Sequence, residues 1–236
     1  MKTDNHHNDI LSLVTHDLKS PMTAVMGALD FLSLDDLTKK EKEQSIKSAR
    51  KASKSILKII ENILIMAKYE AGNLKIKVSK IDNLSEHFLD MKQTFKYEAK
   101  VKNIDFNFII PEKLPIVYWD IDTLHYHCIN NILSNAIKFT DENGTITFEV
   151  KVKEEYIVII IKDDGIGIKK DKRKTIFEKY DTHDNQKVFK GTGLGLYNAH
   201  NFIKQHNGTI EVTNGINQKG IGFKIKLPIK YRDNNL

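Results

Sequence analysis

The chain has 236 residues and a net charge of +6, from 37 lysines and arginines against 31 aspartates and glutamates. This length is enough for two ordinary domains, each with a core of its own. Basic and acidic residues are interleaved without a block of base-stacking aromatics, so we expect no nucleic acid partner. No apolar run approaches the roughly 20 residues that cross a bilayer, and the single cysteine, Cys128, excludes an intrachain disulfide. We therefore expect a cytoplasmic protein with no membrane span of its own.

Residues 9–71 have the composition and periodicity of two long helices. Apolar residues recur three and four positions apart in both halves, as in helices of a bundle. Thr38 and Glu41 predict a capping box at the start of the second helix. Each helix carries more apolar residues than one hairpin can bury, whereas a pair of hairpins can bury them as a four-helix bundle. The sequence therefore predicts a homodimer.

After Gly72 the pattern changes to short strands alternating with helices. We predict a fold of class α plus α+β: a helical hairpin followed by an α/β sandwich, with helices on one face of a mixed sheet. The predicted strands are 74–78, 104–109, 116–118, 145–152, 156–162, 209–214 and 221–227, and the predicted helices are 83–100, 121–138 and 194–206. The domains are expected at 9–71 and 74–230, between a disordered N-terminus at 1–8 and a C-terminal tail at 231–236.

The sequence from Asn131 to Thr140 predicts a helix with one distinctive polar side. Asn131 and Asn135 stand one helical turn apart and Lys138 follows three residues later, so their polar ends project from one side. Amide oxygens can ligate Mg²⁺ without repelling phosphate, and lysine supplies a positive charge. A metal-bound polyphosphate fits this side of the helix, and a solvated helix face is the alternative interpretation.

Two glycine-rich motifs follow along the chain. Asp163 ends a predicted strand just before Gly165 and Gly167, where its carboxylate can accept a hydrogen bond from an exocyclic amine and the glycines admit a flat ring such as adenine. An ordinary Asp-Gly turn is the alternative interpretation. The second motif offers backbone N–H groups to phosphate just before a helix. It consists of Gly191, Thr192, Gly193, Leu194, Gly195 and Leu196.

A mostly polar segment from Ile168 to Lys190 joins the two glycine motifs. A loop of this length beside a ligand is typical of a mobile cover, or lid. Phe177 and Tyr180 would pin this cover when it closes. A surface loop with two anchoring aromatic residues is the alternative interpretation.

These motifs, in this order, resemble the ATP-binding domain of the histidine kinases, a branch of the superfamily that also contains gyrase, heat-shock and mismatch-repair ATPases. Residues 131–140 resemble the Asn box, with Asp120 at the helix start. Residues 163–167 and 191–196 resemble the two glycine boxes. Residues 176–180 resemble the phenylalanine box. The sequence from Thr15 to Pro21 resembles the phosphoacceptor box of the same family, so the likeness covers roughly residues 9–229.

The resemblance implies an autophosphorylating protein histidine kinase of a two-component system, with ATP and Mg²⁺ as cofactors. By this resemblance His16 accepts the phosphoryl group, Asp17 orients or deprotonates it, and Ser20 lies where water is positioned for the reverse, phosphatase reaction. Asp163 would bind the adenine amine, and Asn131 and Asn135 would serve the metal. The other nucleotide-binding residues implied are Lys138, Phe139, Gly165, Gly167, Phe177, Tyr180, Lys190, Gly191, Thr192, Gly193, Leu194, Gly195 and Leu196.

The helix pattern supports His16 independently of the resemblance. With Leu11, Val14 and Leu18 on the apolar seam, position 16 falls opposite the core, so its imidazole is expected to project into solvent. Neutral imidazole is a nucleophile near pH 7 when a neighbour such as Asp17 holds its second nitrogen. The remaining histidines are expected to have no catalytic or metal-binding role.

The sequence departs from the family pattern at the lid and at the N-terminus. No arginine stands near the second glycine box, where many relatives have one for the phosphates; Lys187 or Lys190 would replace it, and Arg173 lies further back. No sensor precedes His16, so we expect input from a separate sensor protein, a chain that is a fragment of a longer kinase, or constitutive activity.

The partners implied are a second copy of the chain and the receiver domain of a response regulator, which would take the phosphoryl group on an aspartate. Whether phosphorylation runs within or between the two subunits is left open by the sequence. The alternative function is a homologue that binds ATP as a regulatory ligand or favours phosphatase activity, without net kinase activity.

Overall fold

The computed structural model describes residues 3–181 and 192–231, without the side chains of residues 3–13 and 16. The chain divides into two compact units. One consists of the residues up to Asn73 together with the short segment ending at Leu194, and the other of Leu74–Asp181 and the residues from Gly195 onward. Within the described ranges, no helix combines the length and the apolar character needed to cross a bilayer.

The first unit is the predicted helical hairpin, with helix α1 at Thr3–Leu32 and helix α2 at Lys39–Glu70. The predicted capping box starts α2: Thr38 N–H donates to the Glu41 carboxylate at 2.9 Å, and Glu41 N–H donates to the Thr38 hydroxyl at 3.3 Å. Helix α1 begins earlier than residue 9. Its backbone extends into the segment expected to be disordered, because no proline or glycine interrupts the chain between Thr3 and Pro21.

Small side chains bring the two helices of the hairpin together. Ala28 and Ala52 are buried, and the hydroxyl of the buried Ser45 donates to the carbonyl of Ala28 at 2.9 Å. A second set of apolar side chains on both helices is left largely exposed. This set consists of Met22, Met26, Leu29, Ile46, Leu57, Ile60 and Leu64.

The second unit is built on a five-stranded mixed sheet in the order β2-β4-β5-β7-β6. Strand β2 runs parallel to β4, and the other neighbours are antiparallel, so the prediction of a mixed sheet is confirmed. The strands are β2 Asp105–Ile109, β4 Thr145–Lys153, β5 Tyr156–Asp163, β6 Thr209–Asn214 and β7 Ile221–Pro228.

A separate two-stranded ribbon joins β1, Ser79–Ile81, to β3, Val117–Trp119. The prediction of a strand at 74–78 is wrong, because β1 begins at Ser79. The extended segment forms a ladder only from Ser79, because that residue is the first one opposite β3, where it pairs with Trp119.

Helices cover the sheet, and aromatic contacts mark the core between them. Phe88 meets Phe148 edge-on at 5.7 Å, and Phe148 stacks on Phe108 at 4.4 Å. The helix predicted at 121–138 is composite, because a π-helical segment, Leu124–Ile129, separates two α-helical parts. The helices of this unit are α3 Leu84–Val101, α4 Ile121–Thr123, α5 Asn130–Phe139 and α6 Gly195–Gln205.

Candidate functional site

The site is organised around Asp163, the last residue of β5, which is only 3% exposed. Its Oδ1 accepts two main-chain hydrogen bonds, from Gly165 at 3.0 Å and from Ile221 at 3.2 Å. These two bonds to Oδ1 orient the carboxylate. The sequence predicted that this carboxylate accepts a hydrogen bond from an exocyclic amine, and that role stays a prediction.

Burial also changes the acidity of this group. Loss of hydration raises the pKa of Asp163 to about 6, although the hydrogen bonds from Gly165 and Ile221 oppose the rise; nearby Asp164 adds to it. A buried carboxylate of this kind gains strongly from a ligand that donates a hydrogen bond to it. Strongly shifted pKa values are common at functional sites.

Glycines pack tightly around Asp163, more of them than the sequence motif indicated. A Cβ atom on Gly220 would lie 2.1 Å from the carbonyl oxygen of Asp163, and one on Gly215 would lie 2.3 Å from the same oxygen. Gly167 and Gly220 both have positive φ, 65° and 68°. Gly215 and Gly220 were missed because they lie about fifty residues downstream, where no local motif marks them.

The first glycine motif rests directly on the end of the Asn-box helix α5. A Cβ on Gly165 would lie 2.3 Å from the carbonyl oxygen of Phe139, so only glycine fits there. The neighbouring N–H of Ile166 donates to the same carbonyl at 3.3 Å. The two motifs, separated in sequence, are therefore in direct contact.

Asn131 connects the Asn-box helix to the second glycine motif. Its Nδ2 donates to the carbonyl of His127 at 2.6 Å and lies 3.5 Å from the carbonyl of Gly195. Nδ2 faces these two carbonyls, and of the two amide atoms only Oδ1 has a lone pair that could ligate a cation. Asn131 is 5% exposed, so this orientation is held by its surroundings.

The π-helical segment ends at Ile129, two residues before Asn131. His127, whose carbonyl accepts from Asn131, belongs to Leu124–Ile129. A π turn displaces the usual helical hydrogen bonds, and such turns are frequent at functional sites. The extra residue in this turn was not predictable from the apolar pattern, which continues smoothly through residues 121–138.

The other predicted residues of the Asn box lie on the same helix. Asn135 is half-buried, and the Nζ atom of the half-buried Lys138 lies 5.0 Å from the centroid of the Phe139 ring. Lys138 stands in the last turn of α5, beside the first glycine motif.

The described part of the lid, residues 168–181, contains an aromatic anchor. Phe177 stacks on His200 of α6 at 5.2 Å and meets Phe223 of β7 edge-on at 6.3 Å. Tyr180 is half-buried with a positive φ of 60°. His200 provides one surface of this anchor, which is a structural contact.

Arg173 is engaged in holding the lid. Its Nε donates to the carbonyl of Ile168 at 3.2 Å and its Nη1 donates to Asn214 Oδ1 at 2.8 Å. These bonds tie the beginning of the lid to the end of β6. The guanidinium is therefore a structural clamp.

The second glycine motif is described only in part. Lys190 and Gly191, both predicted nucleotide-binding residues, lie outside the described residues, as does Lys187. Thr192 and Leu194 are buried, and the hydroxyl of Thr192 accepts from the N–H of Leu194 at 3.3 Å. Gly195 and Leu196 begin α6, so their N–H groups stand at a helix N-terminus.

The predicted phosphoacceptor lies on α1 in the other unit. His16 is within the helix, but its side chain is outside the described part, so the predicted solvent-facing imidazole stays a prediction. Asp17 is half-buried and Ser20 is exposed on the same helix. Pro21 lies inside α1, one residue beyond Ser20.

The donor set fits a nucleotide with Mg²⁺ better than an isolated metal ion. Among the side chains that the structure describes, no group of three His, Cys, Asp or Glu residues could hold a metal. The oxygens available are neutral amides, those of Asn131 and Asn135. Such a site needs phosphate oxygens to complete the coordination of Mg²⁺, which commonly binds through substrate phosphates.

Two family models match the chain. The His Kinase A (phospho-acceptor) domain matches residues 6–72, which include His16. The family described as histidine kinase-, DNA gyrase B-, and HSP90-like ATPase matches residues 120–231, which include the three nucleotide motifs.

Curated relatives match along most of the chain. Hybrid signal transduction histidine kinase D of Dictyostelium discoideum is 29% identical over 223 residues, which is 92% of this chain and 14% of the relative. Sensor protein KdpD of Clostridium acetobutylicum is 31% identical over 94% of this chain and 24% of its own length. Adaptive-response sensory kinase SasA of Synechocystis is 31% identical over 94% of this chain and 59% of its own length. The chain thus spans less than a quarter of the first two relatives.

Solved structures share the fold. Acinetobacter baumannii histidine kinase AdeS aligns with a TM-score of 0.66 at 19% identity, covering 91% of this chain and 98% of that one. The catalytic domain of histidine kinase ThkA aligns with a TM-score of 0.58 at 26% identity, covering 66% of this chain and 99% of that domain. Since its two domains match the phosphoacceptor and ATPase families in this order, the chain is a histidine kinase catalytic core and belongs to the sensor histidine kinase family.

Proposed function

We propose that the chain is an ATP-dependent protein histidine kinase that phosphorylates His16 and passes the phosphoryl group to an aspartate of a response-regulator receiver domain. The observation that carries the proposal is the convergence of three motifs. Gly165 lies against Phe139 and the Asn131 amide lies beside Gly195, so the Asn box and both glycine boxes line one place. Asp163 lies at its base with an oriented, buried carboxylate.

Each end of the proposed site suits one end of ATP. Asp163 Oδ2 would accept a hydrogen bond from the adenine amine, and the glycines beside it would leave room for the ring. Asn131, Asn135 and Lys138 would face the phosphates, where Mg²⁺ would neutralise charge on the phosphate oxygens. The N-terminus of α6 at Gly195 would add partial positive charge at the same end.

The transfer itself would be mainly positioning. One imidazole nitrogen of His16 forms a bond to the γ-phosphorus while the bond from that phosphorus to the bridging oxygen of ADP breaks. Asp17 would hold the second ring nitrogen, so that the attacking nitrogen keeps its lone pair. The ATP-binding domain would approach His16 by moving about a hinge near 71–73, where the helical unit ends.

A homodimer is proposed for the hairpin. Its exposed apolar side chains include Met26 at 58%, Leu57 at 59% and Leu64 at 55%, and a second hairpin could cover them as a four-helix bundle. Sedimentation of the full chain at micromolar concentration tests this assembly, and a monomer alone would count against it. A receiver domain as partner has support in the solved complex of ThkA with response regulator protein TrrA, which aligns with a TM-score of 0.67 at 21% identity. The cytoplasmic location stays a prediction from the sequence.

The activity is tested by incubating the full chain with γ-labelled ATP and Mg²⁺. We expect a label that is labile in acid and stable in base, as for phosphohistidine. The variant His16→Gln should lose it, whereas His87→Gln, a change on α3, should keep it. Label that persists in His16→Gln would overturn the assignment of the acceptor.

The same assay decides the alternative function. If the chain is a regulatory or phosphatase-biased homologue, it would bind ADP but take up no label. It would also release phosphate from a phosphorylated receiver domain. The lid supplies no arginine for the phosphates among its described residues, since the guanidinium of Arg173 is bound to Ile168 and Asn214. This observation is the reason to keep the alternative under test.

A further inference from the structure

We propose that Lys102 is a positioning residue for the nucleotide site, and that it acts through the carboxyl end of helix α5. The inference rests on the proposed nucleotide function, because it concerns how the same site is held in place. Lys102 is half-buried, and its Nζ donates to the main-chain carbonyls of Ile137 at 2.8 Å, Lys138 at 3.3 Å and Thr140 at 2.7 Å. An ammonium group has three donors, and here each has an acceptor.

These three carbonyls stand where a helix normally lacks partners. The last turn of an α-helix leaves its C=O groups without intrahelical donors, and glycine in a left-handed conformation commonly ends the helix and satisfies them. Helix α5 has no such glycine. Its cap residue, Thr140, is extended, with φ −85° and ψ 134°. The ammonium of Lys102 replaces that cap and places a positive charge at the negative end of the helix dipole.

The backbone around Lys102 is itself held firmly in position. Helix α3 ends at Val101, and Asn103 adopts the left-handed conformation with φ 54°. Ile104 N–H closes the turn on the carbonyl of Ala99 at 2.9 Å. The chain then enters β2, where the N–H of Asp105 donates to the Gly144 carbonyl at 2.8 Å. Lys102 thus extends from a corner between α3 and β2 that main-chain hydrogen bonds hold on both sides.

The held carbonyls flank the contact between the Asn box and the first glycine box. The intervening carbonyl, that of Phe139, accepts from Ile166 at 3.3 Å and packs against Gly165. Lys138, proposed for the phosphates, is one of the residues whose carbonyl Lys102 binds. A shift of this helix end would therefore displace the adenine side and the phosphate side of the site together, and weaken ATP binding more than the transfer step.

The variant Lys102→Met removes the charge and keeps most of the side chain. In the full chain we expect the KM for ATP in autophosphorylation to rise about tenfold, the low end for residues that orient ligands from outside. The rate at saturating ATP should change little. The matched control Lys100→Met, on the exposed side of α3, should keep the wild-type KM. Lys102→Arg, which retains charge and donors, should restore most of the affinity.

Two further measurements separate positioning from general stabilisation. Amide hydrogen exchange should accelerate at Ile166 in Lys102→Met, because its acceptor on Phe139 loses support. A variant that melts at a lower temperature yet keeps the wild-type KM, measured where it is fully folded, would overturn the proposal. If Lys102→Met does not fold, Lys102→Gln takes its place in the same assays and is judged by the same outcomes.

Failure of the proposed function would look different. If the wild-type chain neither binds ADP in calorimetry nor takes up label, the nucleotide function is wrong. Exchange at Ile166 then decides only whether Lys102 holds the carboxyl end of α5 in place. If wild type binds ADP and Lys102→Met binds it equally well, the nucleotide function stands and the positioning role is wrong.

Discussion

The main-chain N–H of Asp120 donates to Nε2 of His206 at 3.1 Å, which joins the start of α4 to the end of α6. The other ring nitrogen, Nδ1, lies 2.7 Å from the carbonyl oxygen of Phe202. Because Nε2 accepts, the proton of the neutral ring is on Nδ1. The side chain is fully buried, and burial lowers the pKa of His206, although the Phe202 carbonyl and Asp120 oppose this. A neutral histidine thus links the end of α6 to the start of α4, which leads through the π-helical segment to the Asn box.

This histidine predicts acid sensitivity. Its folded pKa is below the ordinary 6.5, so its contribution to stability is complete above that value and is lost as the pH falls through the folded pKa. In His206→Gln we expect a lower free energy of unfolding at pH 8, by about 1–3 kcal/mol, and a smaller further loss between pH 7 and 5. Urea unfolding at several pH values measures both, and an unchanged pH dependence would contradict the prediction.

The carboxylate of Asp163 should titrate near pH 6 in the nucleotide-free chain. With Oδ1 engaged by Gly165 and Ile221, an added proton would sit on Oδ2 and face the adenine amine as a second donor. Bound ADP should therefore lower this pKa. Carbon-detected NMR of labelled aspartates measures the shift, and the signal missing from Asp163→Asn identifies the residue. A titration unaffected by ADP would contradict adenine binding at this position.

Asp163→Asn should separate affinity from stability. The raised pKa of Asp163 means that its contribution to stability is present below the unfolded value of 3.8 and lost as the pH rises through about 6. At pH 8 the variant should be at least as stable as wild type. Its ADP affinity should fall by about 10- to 100-fold, since a charged hydrogen bond is lost. Thermal melting tests the expected stability, and calorimetry of the same samples tests the expected ADP affinity.

Two glycine substitutions should have opposite effects. Gly165→Ala would place a Cβ 2.3 Å from the Phe139 carbonyl oxygen, so we expect lost ADP binding and reduced stability. Gly27→Ala, on exposed helix α1, meets nothing within 4 Å. It should stabilise the hairpin by about 0.5–1 kcal/mol. Denaturant unfolding compares the two, and a destabilising Gly27→Ala would indicate close packing of that position in an assembly.

Asn131→Asp tests the orientation of the amide. In wild type, Nδ2 donates to the carbonyl of His127 and lies near the carbonyl of Gly195. A carboxylate has no N–H group to donate to either carbonyl. We expect a loss of about 1–3 kcal/mol in stability and weaker Mg²⁺-dependent ADP binding. Ser134→Asp, on the same helix, is the matched control for added charge. Equal effects of both changes would show that charge alone is responsible.

Much of the architecture could be predicted because its signals are local. The capping box of Thr38 and Glu41 and the carboxylate at the end of β5 both follow from short patterns. The features that were missed depend on residues far apart in the chain. Lys102 binds carbonyls more than thirty residues away, and Gly220 matters only because β7 brings it to Asp163. The π turn before Asn131 was hidden because one inserted residue leaves the apolar pattern almost unchanged.

The parallel pairing of β2 with β4 has a consequence for folding. Asp105 lies opposite Thr145, and the chain between the two strands contains β3, α4, the π segment and α5. These strands can pair only after that long connection has closed, and such non-local pairing is slow compared with the local β4–β5 hairpin. The helix that carries Asn131 is part of this connection. Competence to bind nucleotide should therefore arise late in refolding, after most secondary structure has formed.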